Sequence, residues 1–383
     1  MPNTLDLTIV AKSGFDLAGF FGDVQDGLFS TSGAGTEATG TALFSMDGST
    51  MDFSLDYVTL NGKLHVTAIT ILDQDATTLV AGTFATPENI GWPVWTDMRP
   101  LKLFDRLLGQ TKFDTEGGDG DDTALGGEFR DSLVMKAGND MAAGGGGQDF
   151  VQGGRGLDLL MGGAADDRLQ GDGDHDLIIC GTGKDFVLAG SGNDVVIVDD
   201  GTATVRGGTG RDLIVIDSFS SQAGGSPNVL RSTLKDFDPA QDALIFAGVA
   251  SQAGTNPEGY TTLADVETGA RPGFKWFETT NGTVIRSGDA RVLIKGVEAE
   301  EIDLDYLLFT ERTARETADL FDPASGDSTI GSGFGGDAFI AFGSEGTGFI
   351  AFGEEATGAT DSWDLYSGDV LGFNSSAGGS PNV

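Results

Sequence analysis

Ten aspartates recur at one place of a nine-residue spacing between residues 117 and 215. The stretch divides into eleven blocks without insertion or deletion, from 117–125 (GGDGDDTAL) to 207–215 (GGTGRDLIV). The sixth place is Asp in every block except the tenth, which has Ala203. Carboxylate oxygens are ligands that Ca²⁺ prefers, so this row predicts cation sites. The predicted metal ligands are Asp122, Asp131, Asp140, Asp149, Asp158, Asp167, Asp176, Asp185, Asp194 and Asp212.

The blocks follow the pattern G-G-x-G-x-D-x-U-x, in which U is a large apolar residue. In this motif the chain resembles the RTX family of calcium-binding secreted proteins. The resemblance implies an all-β fold built on a right-handed parallel β-roll, in which two blocks complete one turn. Block n then lies next to block n+2, with the two Asp residues eighteen positions apart. The last three places of each block should form a strand of about three residues.

The pairing of blocks predicts how many calcium ions the roll holds. Main-chain carbonyls and Asp carboxylates of two stacked loops together can supply the oxygen ligands that Ca²⁺ requires. Eleven blocks give nine stacked pairs, and eight of them keep both Asp residues; the exception pairs Asp185 with Ala203. We therefore predict about eight Ca²⁺ ions as cofactors. Because its strands are short, the roll should depend on this metal for its order.

The strand residues predict two sheets of unequal polarity. The U residues, from Ala124 to Ile214, should point inward as a thin aliphatic core. Outward places of the odd blocks are apolar, namely Met141, Leu159, Met161, Leu177, Ile179, Val195, Ile197, Leu213 and Val215. Those of the even blocks are mostly polar, with Ser132, Gln152, Arg168, Gln170, Thr204 and Arg206 beside Phe150, Phe186 and Leu188. We predict that another part of the chain or a partner covers the odd-block sheet.

The segments around the repeats predict three further parts. Residues 1–112 form an N-terminal β-rich domain, with a hairpin at Asn61-Gly62 and a short helix near 95–108 that begins close to Pro100. Its predicted strands are 5–11, 40–46, 51–60, 63–72 and 77–84. The roll occupies 113–217, and a C-terminal β-rich capping domain occupies 218–310. Residues 234–246 within it resemble the acidic flank that follows the roll in RTX proteins.

The region 311–383 is rich in Gly and Phe and is interpreted as an assembly element and secretion signal. FIAFGSEGTG (339–348) is followed at once by FIAFGEEATG (349–358), and the two FIAF runs read as strands. The segment 219–229 also recurs as 373–383, with nine of eleven places matching.

Charge and composition restrict the partners. With 59 acidic and 22 basic residues the net charge is −37, which repels nucleic acid and anionic membranes and attracts cations. No apolar run is long enough to insert into a membrane. The single cysteine, Cys180, excludes an intramolecular disulfide. The N-terminus lacks a cleaved leader pattern, but the RTX resemblance implies export by type I secretion machinery and an extracellular location.

Catalytic motifs are missing from the sequence. The two histidines, His65 in a β run and His175 at a variable loop place, have no supporting signature. No H-E-x-x-H, G-x-S-x-G or phosphate-binding glycine motif is present. We therefore predict a non-enzymatic structural role, such as a surface-layer, filament, matrix or adhesin-like protein that forms a homo-oligomer or polymer. The alternative is an RTX module of a secreted hydrolase or effector with a carboxylate-based site.

Overall fold

Nearly all of the regular structure in the computed structural model is β-strand. The structure describes residues 1–17, 20, 29–32, 39–46, 51–89, 111–198, 201–216, 231–246, 260–262, 274–287, 290–302, 307–310, 329–334, 337–341, 349–352, 363–367 and 371–375. Two compact units are formed, one by residues 1–154 with 161–168 and the other by residues 155–160 with 169–383.

The first unit begins with an antiparallel sheet in the order β2-β3-β4-β5-β6-β1. Its strands are β1 (Asn3–Ile9), β2 (Phe29–Ser32), β3 (Thr39–Met46), β4 (Met51–Leu60), β5 (Lys63–Asp73) and β6 (Thr78–Asn89). All five strands predicted in this segment are confirmed. The predicted helix near residues 95–108 lies outside the described residues.

The Asn61-Gly62 hairpin is also confirmed. Leu60 pairs with Lys63, and Asn61 and Gly62 have φ values of 52° and 75°. Two consecutive positive φ angles give the turn whose twist matches that of the flanking strands. Next to this hairpin, Phe44 and Phe53 stack with ring centroids 4.5 Å apart and anchor the core of the sheet.

The repeats form strands that alternate between two parallel stacks, as the roll requires. Their bounds are β7 (Thr111–Glu116), β8 (Thr123–Leu125), β9 (Ser132–Ala137), β10 (Met141–Gly146), β11 (Phe150–Arg155), β12 (Leu159–Ala164), β13 (Arg168–Gly173), β14 (Leu177–Thr182), β15 (Lys184–Ser191), β16 (Val195–Val198), β17 (Thr202–Thr209) and β18 (Leu213–Ile216). Paired residues are eighteen positions apart, as in Leu177 with Val195 and Val195 with Leu213. The predicted stacking of block n on block n+2 is confirmed.

Strand length is the one feature of the repeats that was predicted wrongly. Most repeat strands have six residues instead of about three, and β15 and β17 have eight. In β15 and β17 the extra residues include the first places of the next block, where Gly190 pairs with Gly208. The parallel pairing therefore continues past the x-U-x segment into the glycines.

The predicted difference between the two faces is confirmed. Every U residue from Ala124 to Ile214 is at most 2% exposed. In the odd-block sheet Leu159, Leu177 and Ile197 are at most 1% exposed, so this part of the face is covered, whereas Met141 and Met161 are half-buried. In the even-block sheet Arg168 and Arg206 are exposed, and the remaining outward side chains are half-buried.

Parallel pairing continues beyond residue 217 in the second unit. The following strands are β19 (Arg231–Leu234), β20 (Ala243–Phe246), β21 (Tyr260–Thr262), β22 (Phe274–Thr279), β23 (Gly282–Ser287), β24 (Ala290–Lys295) and β25 (Leu307–Thr310). Strand β19 pairs with β17 and β24, and β20 pairs with β18 and β25, all in parallel. Strands β22 and β23 then close one sheet in antiparallel order. The four-part domain division stays a prediction.

The C-terminal region contains a five-stranded sheet in the order β26-β27-β28-β30-β29. Its strands are β26 (Thr329–Phe334), β27 (Asp337–Ala341), β28 (Phe349–Phe352), β29 (Trp363–Ser367) and β30 (Leu371–Ser375). The described residues of the two FIAF runs, 339–341 and 349–352, fall in β27 and β28, which pair antiparallel, so their prediction as strands is confirmed. Within the described ranges no helix is long and apolar enough to cross a membrane.

Candidate metal centre

Buried carboxylates accompany the stacked loops in each of the two units. In both units the Oδ1 atom of one Asp accepts the backbone N–H of the Asp eighteen positions earlier. All ten predicted residues are at most 3% exposed. The N···Oδ1 distances are 2.7 Å for Asp122 to Asp140, 2.7 Å for Asp131 to Asp149, 2.8 Å for Asp149 to Asp167, 3.0 Å for Asp158 to Asp176, 2.9 Å for Asp176 to Asp194 and 3.1 Å for Asp194 to Asp212. We call this row the aspartate ladder.

The second carboxylate oxygen distinguishes the first loops from the later ones. In the first two blocks Oδ2 accepts the N–H of the residue at the second place, as Asp122 does from Gly118 at 2.6 Å. In four later blocks, those of Asp149, Asp176, Asp194 and Asp212, the Oδ2 atom is buried and accepts no hydrogen bond from the described part of the chain. A buried carboxylate oxygen without a donor is costly unless a cation or water binds it.

Glycine residues lie directly beside these oxygens. A Cβ atom added to Gly171 would lie within 3.0 Å of Asp176 Oδ2, and one added to Gly207 would lie equally close to Asp212 Oδ2. Glycine at the first place of a block has no Cβ atom, and it therefore leaves the position beside each Oδ2 atom open. Among the described residues, no three side chains of His, Cys, Asp or Glu gather around one point. Main-chain carbonyls must then complete the oxygen set of any Ca²⁺ ion held here.

Burial disfavours the charged form of the ladder carboxylates. It raises the pKa of Asp149 to about 7 and the pKa of Asp212 to about 7. Burial, together with the negative charge of Asp212, raises the pKa of Asp194 to about 8. Burial and the charges of Asp194 and Asp158 raise the pKa of Asp176 well above its usual range. A divalent cation would remove this penalty by compensating the charge.

These pKa shifts predict how the calcium-free chain responds to pH. The pKa values are about 3.9 in an unfolded chain, and those of Asp149, Asp194 and Asp212 are about 7, 8 and 7 in the fold. The folded state therefore binds more protons between these values, so stability falls as pH rises through them. Without calcium, far-ultraviolet circular dichroism should show more β structure at about pH 5.5 than at about pH 8.5.

A neutral variant provides the control for this pH response. Asp149→Asn, Asp194→Asn and Asp212→Asn together keep an acceptor oxygen for each amide N–H but remove three titrating groups. The combined variant should keep its calcium-free β signal across the same range with a clearly smaller pH dependence. A calcium-free wild-type chain that is most ordered at about pH 8.5 would contradict the prediction.

The broken pair in the tenth block lies where the spacing predicts it. Asp185 pairs with Ala203 in neighbouring strands. Ala203 has no carboxylate that could accept the N–H of Asp185, and its own N–H donates to Ser232 Oγ in the next strand at 3.1 Å. Ser232 is outside the nine-residue frame and was not predicted.

The two histidines and the cysteine have positions that fit structural roles. His65 is a half-buried strand residue with Nδ1 3.3 Å from the carbonyl oxygen of Pro87, as expected. His175 Nδ1 accepts the N–H of Asn193 at 2.5 Å, which links two stacked loops. Cys180 is buried in β14.

Backbone amides start the ladder, and sequence analysis missed them. The N–H of Phe15 donates to Asp122 Oδ1 at 2.8 Å, and the N–H of Phe113 donates to Asp131 Oδ1 at 2.7 Å. Both donors precede the first repeat. No side-chain signal could have identified them, because almost every residue carries an amide N–H.

Comparison with known proteins agrees with this geometry. Residues 116–151, 136–169 and 161–196 match the family model of the RTX calcium-binding nonapeptide repeat (4 copies). This is an RTX calcium-binding repeat region. The matched residues contain nine of the ten predicted aspartates, and Asp212 follows them. RTX repeats bind calcium in general, and we call residues 111–216, which contain the stacked strands β7 to β18, the RTX region.

No curated protein matches this chain. Seven chains of known structure match it, including the extracellular lipase LipA from Serratia marcescens, with 17% sequence identity and a TM-score of 0.19. That match covers 51% of this chain and 40% of the lipase chain, so the chain spans less than half of that protein.

Proposed function

We propose that this protein is an extracellular calcium-binding protein whose RTX region is ordered by Ca²⁺ and whose role is structural rather than enzymatic. The observation that carries the calcium part is the aspartate ladder. Its Oδ1 atoms hold the stacked loops together, and several Oδ2 atoms are buried without a hydrogen-bond donor. Bound Ca²⁺ would compensate the charge of these oxygens, with about eight ions for the eight complete pairs.

Folding that depends on calcium would also fit the proposed export route. RTX repeat proteins are typically secreted, and type I secretion machinery is the proposed partner for this chain. A ladder of uncompensated carboxylates is unstable at neutral pH, so the RTX region would stay unfolded where calcium is scarce. It would fold outside the cell, where calcium reaches millimolar concentrations, a range typical of extracellular calcium modules.

We infer the structural role from the edge strands of the second unit and of the C-terminal sheet. Strand β22 ends one sheet of the second unit, and β26 and β29 end the five-stranded sheet. Strand edges present backbone N–H and C=O groups that pair readily with another chain. A surface-layer, filament, matrix or adhesin-like protein would use such edges for self-association into an oligomer or polymer.

Calcium-dependent assembly distinguishes the structural role from the alternative of a secreted hydrolase or effector. We expect light scattering and electron microscopy to show ordered polymers or sheets when the full chain receives about 5 mM Ca²⁺. The same concentration of Mg²⁺ should not produce them, because this smaller ion requires stricter geometry and dehydrates reluctantly. The double variant Asp176→Asn and Asp194→Asn should need more Ca²⁺ than the wild-type chain.

A folded protein that stays monomeric at every calcium concentration would contradict the structural role. It would favour the alternative, an RTX module of a secreted hydrolase or effector with a carboxylate-based site. A chain that binds no calcium would contradict the calcium part as well.

A further inference from the structure

A loop outside the nine-residue frame repeats the contacts of an RTX loop. In the segment 237–245 (FDPAQDALI), Asp242 follows Asp212 by thirty positions, which is not a multiple of nine. The N–H of Asp212 donates to Asp242 Oδ1 at 3.0 Å, compared with 3.1 Å from Asp194 to Asp212. Asp242 is 4% exposed and therefore as buried as the ladder residues.

The Oδ2 atom of Asp242 and the strand that follows this residue also make the contacts of an RTX loop. The N–H of Asp238 donates to Asp242 Oδ2 at 2.7 Å, the same contact that Gly118 makes with Asp122. The N–H of Ala243 donates to the carbonyl oxygen of Asp212 at 2.8 Å. Leu244 pairs with Ile214 and is completely buried, so it occupies the place of a U residue.

An unsatisfied oxygen points to a ligand at this end of the stack. Asp212 is 1% exposed, and its Oδ2 atom accepts no hydrogen bond from any described residue. Gly207 adjoins that oxygen, and the N–H of Gly207 donates to Asp236 Oδ1 at 3.1 Å. Asp236 and Asp242 therefore both contact the loop of Asp212, through the N–H groups of Gly207 and Asp212.

We propose that Asp212 and Asp242 form an additional calcium position, built by a loop that lacks the nonapeptide sequence. Asp212 supplies the buried Oδ2 atom, Asp242 supplies the second carboxylate, and loop carbonyls supply further oxygens. Asp236 adds negative charge beside the position. This inference rests on the proposed calcium function and raises the number of complete Asp pairs by one.

Counting bound ions on the full chain tests the proposal. Native mass spectrometry of the calcium-loaded protein should show one Ca²⁺ fewer in Asp242→Asn than in the wild type. Asparagine keeps an acceptor oxygen for the N–H of Asp212, so the remaining ions and the β signal should be unchanged. Asp75→Asn, in the exposed turn between β5 and β6, is the control that removes one charge without changing the ion count.

A second variant separates a lost ion from a lost fold. Asp242→Ser keeps a hydroxyl acceptor, as Ser232 already provides for Ala203, and should also lose one ion. An unchanged ion count in either variant would overturn the proposal, and so would the loss of every ion in both. A wild-type chain that binds no Ca²⁺ would instead refute the proposed function.

Discussion

Removal of calcium should unfold the RTX region while the N-terminal sheet remains. In excess chelator at about pH 7.5, we expect residues 111–216 to lose most of their β signal in circular dichroism and to regain it with millimolar Ca²⁺. The reason is electrostatic. Ten carboxylates that are at most 3% exposed would otherwise carry their charges in a poorly hydrated row.

Hydrogen exchange read by mass spectrometry can locate this change. Amides of β9 to β18 should lose protection in chelator, whereas those of β3 to β6 should keep it. The antiparallel sheet is expected to resist because its core is formed by apolar side chains such as Phe44 and Phe53, and no carboxylate is buried among its described strand residues. Full protection of β9 to β18 without calcium would show that the repeats hold their shape without metal.

Substitution of Gly208 should have the second largest effect. Gly208 has a φ of +108°, and an added Cβ atom would lie within 3.0 Å of the carbonyl oxygen of Gly190 in the neighbouring turn. Gly208→Ala therefore combines left-handed strain with a backbone clash, and we expect a loss of about 2–4 kcal/mol in the free energy of unfolding. Far more Ca²⁺ should be needed to reach the folded signal.

Gly296 provides the matched control in the same unit. Its φ is +82°, and an added Cβ atom would meet nothing within 4 Å. Gly296→Ala should therefore lose only about 1–2 kcal/mol from the strained φ. Denaturant titrations of both variants at saturating Ca²⁺ measure the difference. Equal losses in the two variants would mean that the close approach of Gly208 to Gly190 does not contribute to the stability of the RTX region.

Periodicity predicted the parts of the fold that repeat. The nine-residue frame identified the buried U residues, the spacing of eighteen between paired strands and the broken pair at Asp185 and Ala203. The polarity of alternate blocks predicted that the face of Leu159 and Leu177 is covered. Each of these properties depends on the direction in which a side chain points from its strand. The spacing of residues in the sequence determines that direction.

The roles of individual atoms could not be predicted in the same way. Assigning Oδ1 to the neighbouring loop and Oδ2 to its own loop requires coordinates. Asp242 was missed because the longer connection from Asp212 breaks the frame, although its D-x-U pattern with Leu244 was a usable signal. Ser232 carries no such signal, because a serine in a short strand is common.

The ladder has a direction, because each rung joins an amide of an earlier loop to a carboxylate of a later one. In the first unit the N–H groups of Phe15 and Phe113 are the first donors. Neither side chain has a carboxylate that could accept an N–H group from another loop. In the second unit the N–H of Asp242 donates to the carbonyl oxygen of Asp238 within its own loop. These terminal groups are thus already hydrogen-bonded within their own units. Self-association of the kind proposed above should therefore use strand edges instead of the ends of the ladder.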